Sequence, residues 1–112
     1  VAICAGAAQA EDIKVGVFLG YTGPLEALTP QMAQAAEVAI AELNAAGGVI
    51  DGSMIVPVRG DSTCGDAAAG TAAAERLVTA DGIVAMVGGD CSGVSGAVLQ
   101  AVARLVGNRS AA

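Results

Sequence analysis

The chain has 112 residues, which is enough for one domain. Apolar residues make up 54% of it and charged residues 14%, which excludes intrinsic disorder, because disordered chains are poor in apolar residues and rich in charge. The net charge of -6 argues against a nucleic-acid-binding surface, since phosphate repels it. Histidine is absent, so this chain alone cannot form His-dependent zinc sites, Ser–His–Asp triads or Cys–His dyads.

Residues 1–10 have the character of a signal-peptide remnant. They carry no charge, are mostly small and apolar, and end in Ala8-Gln9-Ala10 before an acidic pair. Signal peptidase accepts small residues one and three positions before its cut, so we predict export with cleavage after Ala10. The apolar stretch is about half of the ~20 residues that a membrane span requires, so no direct membrane insertion is expected. An alanine-rich first helix is the alternative, and Ile3 before Cys4 disfavours a lipid anchor.

Three apolar segments predict β-strands, and each precedes a segment with apolar residues at helical spacing. The predicted strands are Ile13–Leu19, Met54–Val58 and Ile83–Val87. Pro57 cannot donate to a ladder and places the second strand at a sheet edge, whereas the wholly apolar third strand is expected to be central. The β-α-β-α-β-α order predicts an α/β fold, a parallel sheet between helices in a three-layer, Rossmann-like or flavodoxin-like arrangement.

Capping residues set the expected bounds of the helices. Thr29 is the predicted N-cap of the first helix, with Pro30 in its first turn and Gly47-Gly48 beyond its end. Asp66 is the predicted cap of the second helix, which ends at Asp81-Gly82, and Ser92 is the candidate cap of a third helix from about Gly93 toward Val106. The residues expected to face the core are Met32, Ala36, Ala39, Leu43, Ala73, Leu77, Val78, Val94, Val98, Val102 and Leu105.

Three loops follow the carboxyl ends of the predicted strands, where ligands bind in parallel sheets. They are residues 20–28, 61–65 and 88–93. Two of them carry Cys64 and Cys91, an even pair once the signal segment is removed. Export to an oxidising compartment favours a disulfide between these cysteines, with two small buried thiols as the alternative.

The chemistry available in these loops is limited. Residues 89–93 have the form of a nucleophile elbow with Cys91 at its centre, but no histidine is present to activate the thiol. Ser92, at a helix N-terminus, is equally consistent with a helix cap and with a site for a ligand carboxylate. Asp61, Asp66 and Asp90 are typical of loops and caps, so no metal is expected. The loop Gly20–Pro24 lacks the G-x-G-x-x-G spacing of a flavin or nucleotide site, so no cofactor is expected either.

The order of four short motifs resembles the substrate-binding proteins of branched-chain amino acid ABC transporters, which are leucine-binding-like type I periplasmic binding proteins. The motifs are Thr22-Gly23-Pro24-Leu25, the segment 44–49, Asp61-Ser62-Thr63-Cys64 and Asp90-Cys91-Ser92-Gly93, within residues 11–103. The resemblance implies a two-lobed periplasmic receptor that delivers a small amino acid or amide to a membrane permease and has no enzymatic activity. Residues 11–112 would then be a partial N-terminal lobe, truncated after the third βα unit, with residues 105–112 as a divergent tail.

The resemblance also implies roles for individual residues. Cys64 and Cys91 match the family disulfide, and Ser92 matches the hydroxyl residue that contacts the ligand α-carboxylate. Leu28 stands where leucine receptors have an aromatic residue over the ligand, and Asp90 stands where they often have an apolar one. These departures leave a polar or cationic amino acid, or an amide, as open as leucine, isoleucine or valine. The resemblance thus implies a ligand site that includes Ser92, Cys91, Asp90 and Leu28.

Two other classes of protein share the features above. One is an extracellular ligand-sensing domain of the same fold, and the other is a hydrolase fragment that uses Cys91 as a nucleophile. For a receptor lobe of this length we predict poor ligand binding by the isolated chain, because a closed site needs its opposing wall. We also predict self-association through exposed strand edges.

Overall fold

The computed structural model describes residues 11–111, so the predicted signal segment lies outside the described residues. The described part contains three strands in alternation with three main helices, in the predicted order. They are β1 (Ile13–Leu19), α1 (Thr29–Ala45), β2 (Ile55–Asp61), α2 (Ala67–Arg76), β3 (Ala85–Gly88) and α3 (Ser92–Ser110). A short 3-10 turn at Ile50–Gly52 precedes β2, and one widened turn at Leu77–Asp81 extends α2.

The three described strands form one parallel sheet in the order β2-β1-β3. β2 lies at an edge, as Pro57 predicts. The expectation that the third strand is central is wrong for this sheet, because β1 pairs with both neighbours and β3 forms the other edge. The apolar side chains of Val84 and Val87 are 73% and 56% exposed there.

Helices cover both faces of the sheet, which confirms the three-layer arrangement. On one face Phe18 packs with Leu77, Val78, Val94 and Val98, so α2 and α3 share one apolar cluster with β1. On the other face Val17 and Leu19 pack with Ala33 of α1. Successive residues of β1 therefore serve opposite layers, as the alternation of side chains along a strand requires.

The predicted buried face of α1 is right at Ala36 and wrong at its other three residues. Ala36 packs against the cluster around the fully buried Ala33, whereas Met32 and Leu43 are 49% and 47% exposed and Ala39 is also exposed. The helix is apolar on several sides, so the sheet contact of Ala33 selects the face. Asn44 fixes the other end of α1, because its side-chain amide exchanges two 2.8 Å hydrogen bonds with the backbone of Ile55.

The predicted caps are confirmed for one helix and wrong for two. Asp66 caps α2 by accepting a 3.0 Å hydrogen bond from the Ala69 amide. Thr29 is not the cap of α1 but its first residue, and its buried hydroxyl donates to the Gly20 carbonyl instead. Ser92 is likewise the first residue of α3. Cys91 occupies the N-cap position, and its side chain makes no capping hydrogen bond. Arg109 continues α3 past the expected end and donates to the Val78 carbonyl.

Candidate ligand site

The three loops meet at the carboxyl edge of the sheet around the carboxylate of Asp90. Its Oδ2 accepts a 2.7 Å hydrogen bond from the backbone amide of Gly20, directly after β1. Its Oδ1 accepts a 2.9 Å hydrogen bond from the hydroxyl of Ser62, directly after β2. Asp90 itself follows β3, so one side chain joins the ends of all three strands.

A disulfide joins the second and third loops. Cys64 and Cys91 are bonded with their Cα atoms 5.2 Å apart, as predicted. The backbone of Thr63 and Cys64 is left-handed, with φ of 60° and 63°, which turns Cys64 toward the third loop. Because the thiol of Cys91 is consumed by this bond, the chemistry expected of a cysteine nucleophile is unavailable in this state.

Asp61 organises the first two loops. Its carboxylate accepts a 2.6 Å hydrogen bond from the Thr22 hydroxyl, a 2.8 Å bond from the Thr63 amide and a 3.3 Å bond from the Thr22 amide. Burial raises the pKa of Asp61, but these hydrogen bonds lower it by more, so the pKa of this carboxyl lies below its ordinary value. Gly23 sits with φ of 94° against the Thr63 carbonyl, where a side chain would collide.

An aromatic and charged cluster supports the first loop from the α1 side. The Tyr21 hydroxyl donates a 3.1 Å hydrogen bond to the Val17 carbonyl, and the Arg59 guanidinium lies 5.3 Å from the centre of its ring. Arg59 also forms a two-point ion pair with Glu37, at 2.7 and 3.0 Å. Burial raises the pKa of Tyr21 although Arg59 opposes it, and the Arg59 hydrogen bond lowers the pKa of Glu37.

The structure places the predicted ligand contacts as follows. Ser92 and Leu28 are exposed, and Leu28 has 61% of its surface accessible. Ser92 begins the 19-residue helix α3, and no residue in the range 11–111 forms a hydrogen bond with its hydroxyl. Asp90 is half-buried and engaged as described above. The roles of all four residues, Ser92, Cys91, Asp90 and Leu28, in ligand binding remain predictions.

Two cavities lie between β3 and α3, one next to the third loop and the other toward the amino end of β3. They have volumes of about 320 and 240 Å³ and share Met86 and Val102 in their walls. Only Gly88 and Gly89 of the three loops reach the larger cavity, whose other lining residues are mostly apolar. We regard both as parts of one apolar groove at the exposed edge of β3, separate from the polar network of Asp61 and Asp90.

Sequence patterns did not identify Ser62, Gly20 or the Tyr21–Arg59–Glu37 cluster. Ser62 is only 1% exposed, and a buried hydroxyl in a polar loop has no pattern that separates it from an exposed one. A usable signal was the position of Ser62 and Asp90, each near the end of a strand in the same parallel sheet and each close to a cysteine.

Two general features of the described part bear on function. No three His, Cys, Asp or Glu side chains in residues 11–111 are arranged to hold a metal ion. In the same range, the helices are too short or too polar to cross a membrane.

The family profile described as "Periplasmic binding protein" matches residues 12–105. A Leu/Ile/Val-binding protein homolog 7 from Brucella melitensis is 40% identical over 107 residues, which are 95% of this chain and 26% of that protein. The Leu/Ile/Val/Thr-binding protein of Salmonella typhimurium is 41% identical over 76% of this chain and 22% of its own length. The chain thus spans about a quarter of the length of the curated relatives it matches.

Solved structures agree with the sequence relatives. The branched-chain amino acid transporter substrate binding protein LivJ from Streptococcus pneumoniae, in complex with isoleucine, has a TM-score of 0.74 and 32% identity, over 83% of this chain and 26% of that chain. An ABC transporter structure from Rhodopseudomonas palustris has a TM-score of 0.73 and 25% identity, over 83% of this chain and 27% of that one. The fold and its carboxyl-edge loops therefore define an α/β lobe of the binding-protein class. The chain belongs to the periplasmic binding protein family, in its leucine-binding-like branch.

Proposed function

We propose that this chain provides one wall of an amino-acid site in the substrate-binding component of an ABC importer. The wall is the carboxyl edge of the sheet, and the ligand passes from it to a membrane permease. Relatives named for leucine, isoleucine and valine binding support this function, as does a neighbour solved with isoleucine. The role is binding and delivery, without enzymatic chemistry.

The observation that carries the proposal is the accessible start of α3. Ser92 exposes its hydroxyl at the positive end of a 19-residue helix, and the Cys64–Cys91 disulfide fixes the residue before it. A hydroxyl and unpaired amides at a helix N-terminus suit a carboxylate. We assign to Ser92 the contact with the ligand α-carboxylate and to Leu28 the contact with the ligand side chain. Cys91 provides the surface next to Ser92.

The charges of the loops favour a neutral amino acid over a cationic one. The carboxylates of Asp61 and Asp90 each accept hydrogen bonds from within the protein, and Arg59 is paired with Glu37. Leu28 supplies an exposed apolar contact. A small neutral side chain therefore matches the groups that remain accessible on this wall.

Saturation-transfer NMR on the 112-residue chain tests the carboxylate assignment. L-Isoleucine should show saturation transfer at millimolar concentration, and L-isoleucinol, in which a CH₂OH group replaces the carboxylate, should show much less. Ser92→Ala should weaken the isoleucine response about tenfold, the usual cost of a hydrogen bond to a charged group. Ser110→Ala, a serine at the far end of α3, is the control. Equal responses to the acid and the alcohol would contradict the proposal.

We place the protein in the periplasm, with cleavage after Ala10. The named relatives support the compartment, and the small residues at 8 and 10 support the cleavage site. Intact mass of the protein from a periplasmic extract should begin at Glu11, and two alkyl groups should be added only after reduction. Retention of residues 1–10 with thiols that react without reduction would contradict export.

A further inference from the structure

The side chain of Asp90 is occupied by the protein itself. Its two oxygens accept hydrogen bonds from the Gly20 amide and the Ser62 hydroxyl, at 2.7 and 2.9 Å. Ser62 is 1% exposed, so its hydroxyl has little access to water as an alternative partner. A hydroxyl left buried without a partner costs free energy, which makes the Asp90 contact necessary for the local structure.

The positions of these residues relative to the disulfide are informative. Asp90 directly precedes Cys91, and Ser62 lies two residues before Cys64. The Ser62–Asp90 hydrogen bond is therefore a second link between the two loops that the Cys64–Cys91 bond joins. The Gly20 amide adds a connection to the end of β1, which the disulfide does not reach.

We infer that Asp90 is a positioning residue, and that Asp90, Ser62 and Gly20 form a noncovalent latch that holds the second and third loops together beside the disulfide. The latch limits how far the two thiols separate in the reduced chain, and the disulfide in turn holds Asp90 and Ser62 together. The latch and the disulfide therefore stabilise each other, so the latch raises the effective concentration of one thiol at the other and makes the disulfide harder to reduce.

The same latch fixes the residue that we assign to the ligand carboxylate, a part of the inference that rests on the proposed function. Ser92 is two residues beyond Asp90, at the start of α3. If Asp90 turned to a cationic ligand group, it would release the Gly20 amide and the buried Ser62 hydroxyl, and both would lose their partners. Asp90 acts through the placement of Cys91 and Ser92, not by contact with the ligand.

The reduction potential of the disulfide tests the latch directly. Dithiothreitol gives two electrons and two protons to the Cys64–Cys91 bond and becomes a cyclic disulfide, while the protein gains two thiols. The measurement uses the 112-residue chain with Cys4→Ser, so that only this pair exchanges. After equilibration in buffers of known dithiothreitol ratio, alkylation and mass determination give the oxidised fraction.

Four variants separate positioning from general stability. Asp90→Leu removes both hydrogen bonds and should make the disulfide about tenfold easier to reduce, or about 30 mV. Ser62→Ala removes one hydrogen bond and should produce a smaller shift in the same direction. Asp90→Asn can accept from Gly20 and donate to Ser62, so it should remain near the parent potential.

Asn44→Leu is the control for stability alone. It breaks two 2.8 Å hydrogen bonds to Ile55 at the amino end of β2, away from the disulfide. This loss affects the oxidised and reduced forms alike and should leave the potential unchanged. The inference is overturned if Asp90→Leu and Ser62→Ala both leave the potential at the parent value, or if Asn44→Leu moves it as far as they do.

The result is independent of ligand binding. If Asp90→Leu does not fold, Ser62→Ala still decides the outcome, because it deletes only one hydroxyl. A potential that shifts as expected, together with failed isoleucine titrations, would support the latch and contradict the proposed function. An unchanged potential together with successful isoleucine titrations would contradict the latch alone.

Discussion

At the scale of single residues, Thr29 shows how one hydroxyl positions a loop. Its side chain has no exposed surface and donates a 2.9 Å hydrogen bond to the carbonyl of Gly20. Thr29→Val keeps the shape and leaves that carbonyl without its partner. We expect a loss of about 1–2 kcal/mol in the free energy of unfolding, measured by urea denaturation with circular dichroism. Thr79→Val, at an exposed helical threonine, should change it by less than about 0.5 kcal/mol.

Asp61 predicts a pH dependence. Its pKa is lower in the folded chain than the unfolded value of about 3.9, so its contribution to stability is present above pH 4 and is lost as the pH falls through the folded pKa. Asp61→Asn should cost about 1 kcal/mol at pH 7. The difference in free energy of unfolding between Asp61→Asn and the parent should become smaller as the pH falls from 5 to 3, measured by urea denaturation.

Asp51→Asn is the matched control for Asp61→Asn. It removes the same charge at an exposed residue with φ of 55°, a conformation that asparagine tolerates. Its stability difference from the parent should be small at both pH values. A gap for Asp61→Asn that stays constant or widens in acid would show that the hydrogen bonds to its carboxylate do not favour the ionised form.

Residue-level prediction from sequence succeeded where chemistry leaves few options. Removal of the predicted signal segment would leave Cys64 and Cys91 as the two cysteines, so the predicted export pointed to their pairing, and the structure contains that bond. Asp66 has the usual form of a cap and is one. The positions of Thr29 and Ser92 gave the wrong caps, because a threonine or serine at the start of a helix can also be its first residue. The Thr29 hydroxyl bonds to the Gly20 carbonyl instead.

At the scale of secondary-structure elements, α1 offers a test of which face meets the sheet. Ala33 is fully buried against Val17 and Leu19, whereas Ala39 is exposed. Ala33→Leu adds atoms to a closed contact and should destabilise the fold by about 1–3 kcal/mol. Ala39→Leu should alter it by less than about 0.5 kcal/mol. Thermal and urea unfolding of the two variants would be compared, and the reverse ranking would restore the face predicted from spacing.

The strands were easier to predict than the packing of the helices. β1 begins and ends where the apolar run does, at Ile13 and Leu19, because both of its faces are covered. β2 extends from Ile55 to Asp61, beyond the apolar run, since register with β1 continues through Arg59 and Gly60. α1 contains alanine on every side, so spacing alone could not select Ala33 over Met32.

At the scale of the whole molecule, the free edge of β3 predicts self-association. In the described sheet, β3 pairs with β1 alone, and Val87 of β3 is exposed together with Val84 just before it, which lines the apolar groove. Unpaired strand edges are templates for further pairing. The chain should therefore sediment as concentration-dependent oligomers, and Val87→Lys should shift it toward monomer.

Val38→Lys provides the control for the edge. Val38 lies on α1 and is 58% exposed, close to the 56% of Val87. Val38→Lys therefore adds the same charge as Val87→Lys but away from the sheet edge. Association that responds equally to the two lysines would point to net charge. Association that responds only to Val38→Lys would place the contact on α1.

The proposed function predicts where an amino acid would contact this lobe, and amide-resolved NMR locates such a contact. ¹⁵N-labelled chain would be titrated with L-isoleucine to tens of millimolar. We expect weak, saturable shifts in the amides of Gly20–Thr22 and Cys91–Val94, with the Met86 and Val102 groove unaffected. Submillimolar affinity of this chain for L-isoleucine would contradict the prediction that tight binding needs an opposing wall. Shifts confined to the β3–α3 groove, or no shifts at all, would contradict the assignment of the carboxyl edge as the ligand site.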